Sequence, residues 1–200
     1  MKRNFLILLV LLGLVACGSA PPVPTDHFYR LVLPRDTEKQ QLYGGVIYVG
    51  NFIADGLYND RAVLFVNDKE GRELQQHHYH FWITSPPHLL QDYLVDYLRQ
   101  TGASSMILAG PSTKGGIKIS GKIQEFDYQV QGDRKTANVA LELRLDSYGA
   151  EKPVLVKEYR AEESINGNDM EDIVAAFNRA TLAVYDQFIA DMKGTINSEN

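Results

Sequence analysis

Three histidines within four residues are the side chains of this sequence best suited to bind a metal or a proton. His77, His78 and His80 lie in a run typical of a β-strand, on which His78 and His80 share one face and His77 points to the other. Two imidazoles do not complete a zinc site, no acid or cysteine occupies a matching position on this strand, and His27 or His88 could approach only through tertiary folding. The sequence therefore predicts a solvated strand face and no metal. His78 and His80 remain candidate metal ligands, and a protonation switch near roughly pH 6 is a further alternative.

Motifs for nucleophilic catalysis and for phosphate binding are missing from the sequence. No serine stands in a G-x-S-x-G elbow, and the glycine-rich run 110–116 lacks the order of a nucleotide-binding loop. The acids between Glu162 and Asp172 fit a strand end and the first turn of a helix, where carboxylates oppose the helix dipole. We therefore expect no catalytic residue, no cofactor and no enzymatic activity.

The one cysteine of the chain, Cys17, closes a short export signal. The apolar run Phe5–Val15 follows Lys2 and Arg3 and is shorter than the roughly 20 residues that a membrane-spanning helix needs. Leu-Val-Ala-Cys at 14–17 resembles the bacterial lipobox, in which the thiol takes a diacylglycerol, the preceding peptide is cut and the new amino terminus is acylated. Lipidation also removes the oxidation liability of a lone exported thiol. An ordinary cleaved signal followed by a chance cysteine is the alternative.

The lipid expected on Cys17 determines where the protein resides. Acyl chains at about 0.8 kcal/mol per buried methylene, with more than one chain present, hold a protein stably on a membrane. By resemblance to lipoproteins of Gram-negative bacteria, the residue after the cysteine sorts between membranes, and here it is Gly18 instead of the aspartate associated with inner-membrane retention. We therefore expect a periplasm-facing protein on the outer membrane, carrying a covalent N-acyl diacylglyceryl lipid on Cys17.

The remaining chain divides into a tether, one domain and a tail. Residues 1–16 are expected to be the cleaved signal, 17–26 the lipidated cysteine with a proline-rich tether, 27–194 one folded domain and 195–200 a flexible tail. The formal charge of −5, made more negative when the two basic residues of the signal are lost, disfavours nucleic acid and electrostatic adhesion to anionic lipid.

Apolar runs and alternation predict eight strands. They cover residues 27–34, 45–54, 62–67, 73–84, 104–109, 117–130, 136–147 and 154–164. The run 104–109 is typical of a buried strand, and the last three strands form an antiparallel meander. In the run 136–147 apolar residues alternate with polar ones, which indicates a half-buried strand with one wet face.

Two amphipathic helices complete the predicted fold. The first opens at Ser85-Pro-Pro-His88, runs to about Gln100 and ends at Gly102. The second carries an apolar stripe from Met170 to Met192 and begins at a capping box of Asn168 and Glu171. The expected fold class is α+β, a single domain with a mixed or largely antiparallel sheet and both helices packed on one face.

The order of these elements, with residues to match, resembles the ABC-type transport auxiliary lipoprotein family. That family includes the lipoprotein of the paraquat-inducible operon, a companion of MCE-domain lipid transporters. The matching features are Phe28-Tyr29-Arg30-Leu31, Val49-Gly50, the run Trp82–Leu94 leading into an amphipathic helix, the strand Gly121–Phe126, and Phe177-Asn178 in the final helix. The sequence departs from the family pattern at Ile83, directly after the tryptophan, and in the histidines at 77–80.

The resemblance implies a noncatalytic, outer-membrane-tethered subunit of a system that moves lipids across the envelope. It would dock a periplasmic MCE-domain partner to the outer membrane, while ATP hydrolysis and the membrane channel belong to other polypeptides. Because MCE proteins form rings, a homo-oligomer is also expected. Two alternatives remain: a lipid-binding carrier lipoprotein with an apolar pocket, and an envelope enzyme with a histidine-based site.

Overall fold

The computed structural model describes residues 23–35, 37–68, 70–111 and 115–198. The predicted signal 1–16, Cys17, Gly18 and the tether as far as residue 22 lie outside the described residues, as do positions 199 and 200. The described chain folds as one α+β domain with an eight-stranded mixed sheet and two helices, which confirms the predicted fold class. The strands are β1 His27–Tyr29, β2 Val46–Ala54, β3 Ala62–Val66, β4 Leu74–Trp82, β5 Met106–Ala109, β6 Ile117–Gln131, β7 Arg134–Ser147 and β8 Leu155–Ser164. The helices are α1 Pro86–Thr101 and α2 Met170–Ser198, and a 3₁₀ turn covers Gly56–Asn59.

The long strand β6 organises the sheet. On one side β7 pairs with its whole length, and β8 follows β7, both antiparallel, as predicted for a meander. On the other side β2 pairs with the first half of β6 and β3 with the second half, both in parallel. Beyond them lie β5 next to β2 and, next to β3, first β4 and then β1. The sheet is therefore mixed, with β1, β5 and β8 at its edges.

Two predicted strands differ from the structure. The first ends at Tyr29 and not at Pro34, because the backbone of Val32 pairs with the side chain of Asn178 on α2 instead of with another strand. The prediction that 104–109 is a buried strand is wrong: β5 begins at Met106, and the side chains of Met106 and Leu108 are exposed. Since β5 has only β2 as a neighbour, its other edge faces away from the sheet.

The first helix has the predicted ends. Ser85 occupies the N-cap position, with Pro86 and Pro87 in the first turn, where the missing N–H groups cost nothing. Gly102 ends the helix in the left-handed region at φ 69°, a conformation that only glycine adopts without strain. The hydroxyl of Ser85 contacts the ring of His88 at 3.0 Å and does not cap a backbone N–H.

The second helix begins one residue later than its predicted capping box. The carboxylate of Asp172 accepts a hydrogen bond from the backbone N–H of Asp169 at 3.4 Å, so the reciprocal half of the box lies at Asp169 and Asp172. The Asn168 side chain accepts instead from Lys135 Nζ at 3.0 Å. At its other end α2 continues to Ser198, past the predicted domain boundary at residue 194.

Aromatic rings fill the interface between the sheet and the helices. The ring of Trp82 on β4 lies 5.1 Å from Phe126 on β6 and 5.3 Å from Phe177 on α2, measured between ring centroids. The two helices also contact each other, since the hydroxyl of Tyr185 donates to the carbonyl of Leu90 at 2.7 Å. In the described part of the chain, neither helix combines the length and the apolarity that a membrane span requires.

Candidate functional site

The segment that leads from the predicted anchor into the domain is fixed to both helices. We call residues 30–43 the N-terminal strap. Its backbone is held at Val32, whose N–H donates to Asn178 Oδ1 at 2.7 Å and whose carbonyl accepts from Asn178 Nδ2 at 2.8 Å. A side-chain amide both donates and accepts hydrogen bonds, so Asn178 supplies to the strap the N–H and the carbonyl that a neighbouring strand would supply.

Further along, the strap is fastened to the end of α1. The backbone N–H of Gln40 donates to the carbonyl of Thr101 at 2.7 Å, and that of Leu42 donates to the carbonyl of Ala103 at 2.8 Å. The Gln100 side chain donates to the carbonyl of Pro34. The strap therefore connects β1 to both helices.

Next to the start of the strap, three imidazoles form a histidine cluster, which we define as His27, His77 and His80 with Tyr29 and Tyr128. The rings of His27 and His80 are stacked at 5.2 Å, and those of His77 and His80 meet edge to face at 5.5 Å. Tyr29 Oη lies 2.9 Å from His80 Nδ1, and Tyr128 Oη lies 2.8 Å from His77 Nε2. Each of the two β4 histidines thus has its own tyrosine hydroxyl.

The cluster differs from the prediction that His78 and His80 share a face. Ala62 of β3 pairs with Phe81 of β4, and Leu64 pairs with Gln76. Two steps along β3 therefore correspond to five steps along β4. The extra residues of β4 interrupt its alternation, and this irregularity brings His77 onto the face of His80. His27 joins the cluster through the parallel pairing of β1 with β4.

The electrostatics of the histidine cluster favour neutral rings. Burial, assisted by the nearby His80 and His78, lowers the pKa of His77 below its ordinary value. Burial and the adjacent His27 likewise lower the pKa of His80. Among the described residues, no three His, Cys, Asp or Glu side chains are arranged to hold a metal ion. Protonation of His77 or His80 in the folded protein is therefore less favourable than in an ordinary histidine. Both rings are held in place by tyrosine hydroxyl groups.

On the opposite face of the sheet lies a second polar group of residues that the sequence analysis did not identify. We define the carboxylate network as Tyr58, Glu125, Asp127, Asn138 and Arg160. Asp127 is 2% exposed, and its carboxylate accepts hydrogen bonds from the Tyr58 hydroxyl at 2.6 Å and from Asn138 Nδ2 at 3.3 Å. Burial raises the pKa of Asp127, and these two hydrogen bonds oppose the rise. Burial and the bond to Asp127 raise the pKa of Tyr58.

The strand register explains how the carboxylate network is assembled. Glu125, Ala140 and Arg160 lie side by side on β6, β7 and β8. The small side chain of Ala140 leaves room for the guanidinium of Arg160 to reach across β7 and pair with Glu125. Burial and the neighbouring Asp127 raise the pKa of Glu125, while Arg160 lowers it. A signal was present in the sequence, because Asp127 stands between the apolar Phe126 and Tyr128 in the strand pattern.

Comparison with known proteins identifies the family. The model of the family described as ABC-type transport auxiliary lipoprotein component matches residues 58–189. The DUF330 protein of Xanthomonas campestris has a TM-score of 0.73 at 16% identity, covering 87% of this chain and all of its own. A hypothetical protein of Chlamydia trachomatis has a TM-score of 0.51 at 7% identity, covering 77% of this chain and 98% of its own. At these identities the two structures share the fold with this chain, and no curated protein matches it in sequence.

Proposed function

Since the chain belongs to the family of ABC-type transport auxiliary lipoprotein components, we propose that it is the noncatalytic auxiliary subunit of an MCE/ABC-type intermembrane lipid transport system. It would be anchored in the outer membrane through Cys17, face the periplasm and dock the periplasmic MCE-domain partner to that membrane. The family match over residues 58–189 is the observation that carries this proposal, and the lipobox at 14–17 supports the anchor.

Two features of the fold favour tethering over the alternative of a lipid carrier. The N-terminal strap fixes the chain that follows the tether to both helices through Val32 and Gln40, so a tether at this end would be joined to the whole folded body. The space between sheet and helices, where a carrier would hold an acyl chain, is occupied by the rings of Trp82, Phe126 and Phe177. A domain whose interior is filled by its own side chains suits a docking subunit.

The proposal is tested by capturing partners from detergent-solubilised envelope with the lipoprotein as bait, followed by mass spectrometry. We expect an MCE-domain protein to be recovered. Bound phospholipid without a protein partner would contradict docking and favour the carrier. Light scattering on the purified lipoprotein tests the homo-oligomer, which we include in the proposal to match a ring-forming partner.

The anchor is tested by membrane fractionation of two variants. Cys17→Ala should leave the fold intact and release the protein from membranes, because no acyl chain remains. Gly18→Asp is the matched control: it keeps the lipid and is expected to shift the protein toward the inner membrane. Finding Cys17→Ala still in the outer-membrane fraction would refute the anchor.

A further inference from the structure

A groove at the β1–β4 edge of the sheet, on the face away from the helices, is not used by either polar cluster. Its volume is about 360 Å³, and its lining residues are Asp26, Phe28, Asp60, Arg61, Ala62, Gln76 and Phe81. The ring centroids of Phe28 and Phe81 lie 5.9 Å apart, and the two rings form an apolar wall of the groove. Phe28 is 55% exposed, and Ile83 beyond the groove is 54% exposed, so apolar surface is open to solvent at this edge.

One cation of the groove is fixed in place. Arg61 donates from Nε to the carbonyl of Trp82 at 3.1 Å, and its guanidinium lies 5.3 Å from the centroid of the Phe28 ring. The backbone contact and the ring orient the planar guanidinium of this exposed side chain. A pre-oriented guanidinium is the side chain best suited to bind a phosphate diester.

Two anions complete the groove. Asp26 and Asp60 are exposed at its rim, and neither forms an ion pair with any described residue. One cation and two anions beside an apolar wall complement a ligand that carries a phosphate, an ammonium group and hydrocarbon. A phosphate with no ammonium group would meet two uncompensated carboxylates.

The course of the chain places this groove near a membrane. Eight residues separate Cys17 from Asp26, and a proline-rich segment of this length, at roughly 3 Å per residue, spans at most about 30 Å. Asp26 therefore lies within that distance of the lipid expected on Cys17. The groove stands at the point where the tether enters the domain, so lipid headgroups of the same leaflet are its nearest source of phosphate.

We propose that the groove between Phe28, Phe81 and Arg61 binds the headgroup of a zwitterionic phospholipid with a primary ammonium group, taken from the bilayer that holds the anchor. The guanidinium of Arg61 pairs with the phosphate, Asp60 and Asp26 pair with the ammonium group, and the two rings contact the glycerol and first methylenes. This site deepens the proposed function, since it would orient the docking domain on its membrane.

The test titrates short-chain phospholipids, below their micelle concentration, into the full mature chain carrying Cys17→Ser, which needs no lipid anchor. Binding of dihexanoyl-phosphatidylethanolamine is followed by isothermal titration and by NMR shifts of Phe28 and Arg61. We expect saturable binding that Arg61→Gln weakens about tenfold, because a charge-assisted bond is lost. Asp60→Asn should reduce the preference for phosphatidylethanolamine over dihexanoyl-phosphatidylglycerol.

Control variants and ligands keep the outcome decisive. Arg72→Gln removes another exposed arginine, outside the groove, and should leave binding unchanged. Glycerophosphoethanolamine, which lacks acyl chains, should bind more weakly than the lipid. If Arg61→Gln loses its native thermal unfolding transition, Phe28→Ala replaces it with the same expectation. Equal binding of both lipids, equal effects of Arg61→Gln and Arg72→Gln, or no saturable binding would each overturn the site while leaving the anchor and the docking proposal standing.

Discussion

Two adjacent residues of β6 serve two polar clusters on opposite faces of the sheet. Tyr128 points to the helical side and bonds His77 of the histidine cluster, whereas Asp127 points to the other side and anchors the carboxylate network. Both clusters are satisfied by tyrosine hydroxyls. They differ in what protonation does: it gives a histidine a positive charge, whereas it removes the negative charge of Asp127. The two faces of one sheet can therefore respond to pH in opposite directions.

Burial favours the neutral form in both clusters. The pKa of His77 and of His80 is lowered in the folded protein, so their contribution to stability is present above the unfolded value of about 6.5 and is lost as the pH falls through the folded values. The pKa of Asp127 is raised, so its contribution is present below the unfolded value of about 3.9 and is lost as the pH rises through the folded value. Acidification therefore lowers the contribution of the histidine cluster to stability and raises that of Asp127.

The largest effect is expected when the carboxylate network loses its strongest donor. Tyr58→Phe removes the 2.6 Å hydrogen bond to a carboxylate that is 2% exposed, and should lower the free energy of unfolding by about 2 kcal/mol. Because the pKa of Asp127 then rises further, the deficit should shrink at acid pH. Urea unfolding at pH 7.5 and pH 4.5 measures both effects. Tyr148→Phe, at an exposed tyrosine, is the control, and a deficit that grows in acid would contradict the assignment.

A smaller loss of stability is expected in the histidine cluster, with the opposite dependence on pH. His77→Phe keeps an aromatic ring beside Phe65 but leaves the Tyr128 hydroxyl without its partner, which should cost about 1 kcal/mol at pH 7.5. Between pH 7.5 and pH 5.5 the wild type should lose stability relative to this variant, because the variant has one imidazole fewer to protonate. Thermal unfolding across that range is the measurement. His88→Phe, on α1, supplies the control, and parallel pH profiles for wild type and His77→Phe would separate the cluster from any pH response.

The smallest effect is expected at the ion pair of the carboxylate network. Arg160→Gln breaks a pair that is partly exposed to solvent, so its cost should stay below about 1 kcal/mol and should vanish in high salt. The same substitution should raise the pKa of Glu125, which Arg160 lowers. Carbon-detected NMR titration of the glutamate carboxyl measures this shift, with Arg144→Gln as a control on β7. An unchanged titration of Glu125 would show that Glu125 on β6 and Arg160 on β8 do not influence each other.

The sequence predicted the parts of the fold that depend on local periodicity. Alternation along 136–147 identified β7, and the proline pair and Gly102 identified both ends of α1. The predicted end of the first strand was wrong because a residue there is bonded to a partner far away in the sequence. Val32 leaves the sheet because of Asn178, which is 146 residues away in the chain, and no local pattern contains that information.

The two polar clusters show the same limit. The face of each β4 histidine depends on the irregular pairing of β4 with β3, which alternation within β4 alone cannot reveal. Asp127 could be recognised in the sequence as an acid between two apolar residues. Its partners Tyr58 and Asn138 come from a 3₁₀ turn and another strand, so the network follows from the register of three strands and not from any motif.

The attachment of β1 has a mechanical consequence. His27 begins a strand that runs parallel to β4, so a pull applied along the strand axis to the chain before His27 would slide β1 lengthwise past its neighbour. Such a load shears the hydrogen bonds of the strand pair together instead of opening them one after another, and the amide of Asn178 takes up the force next. With the anchor proposed at Cys17, a pull on the tether would thus pass through the sheet and into α2.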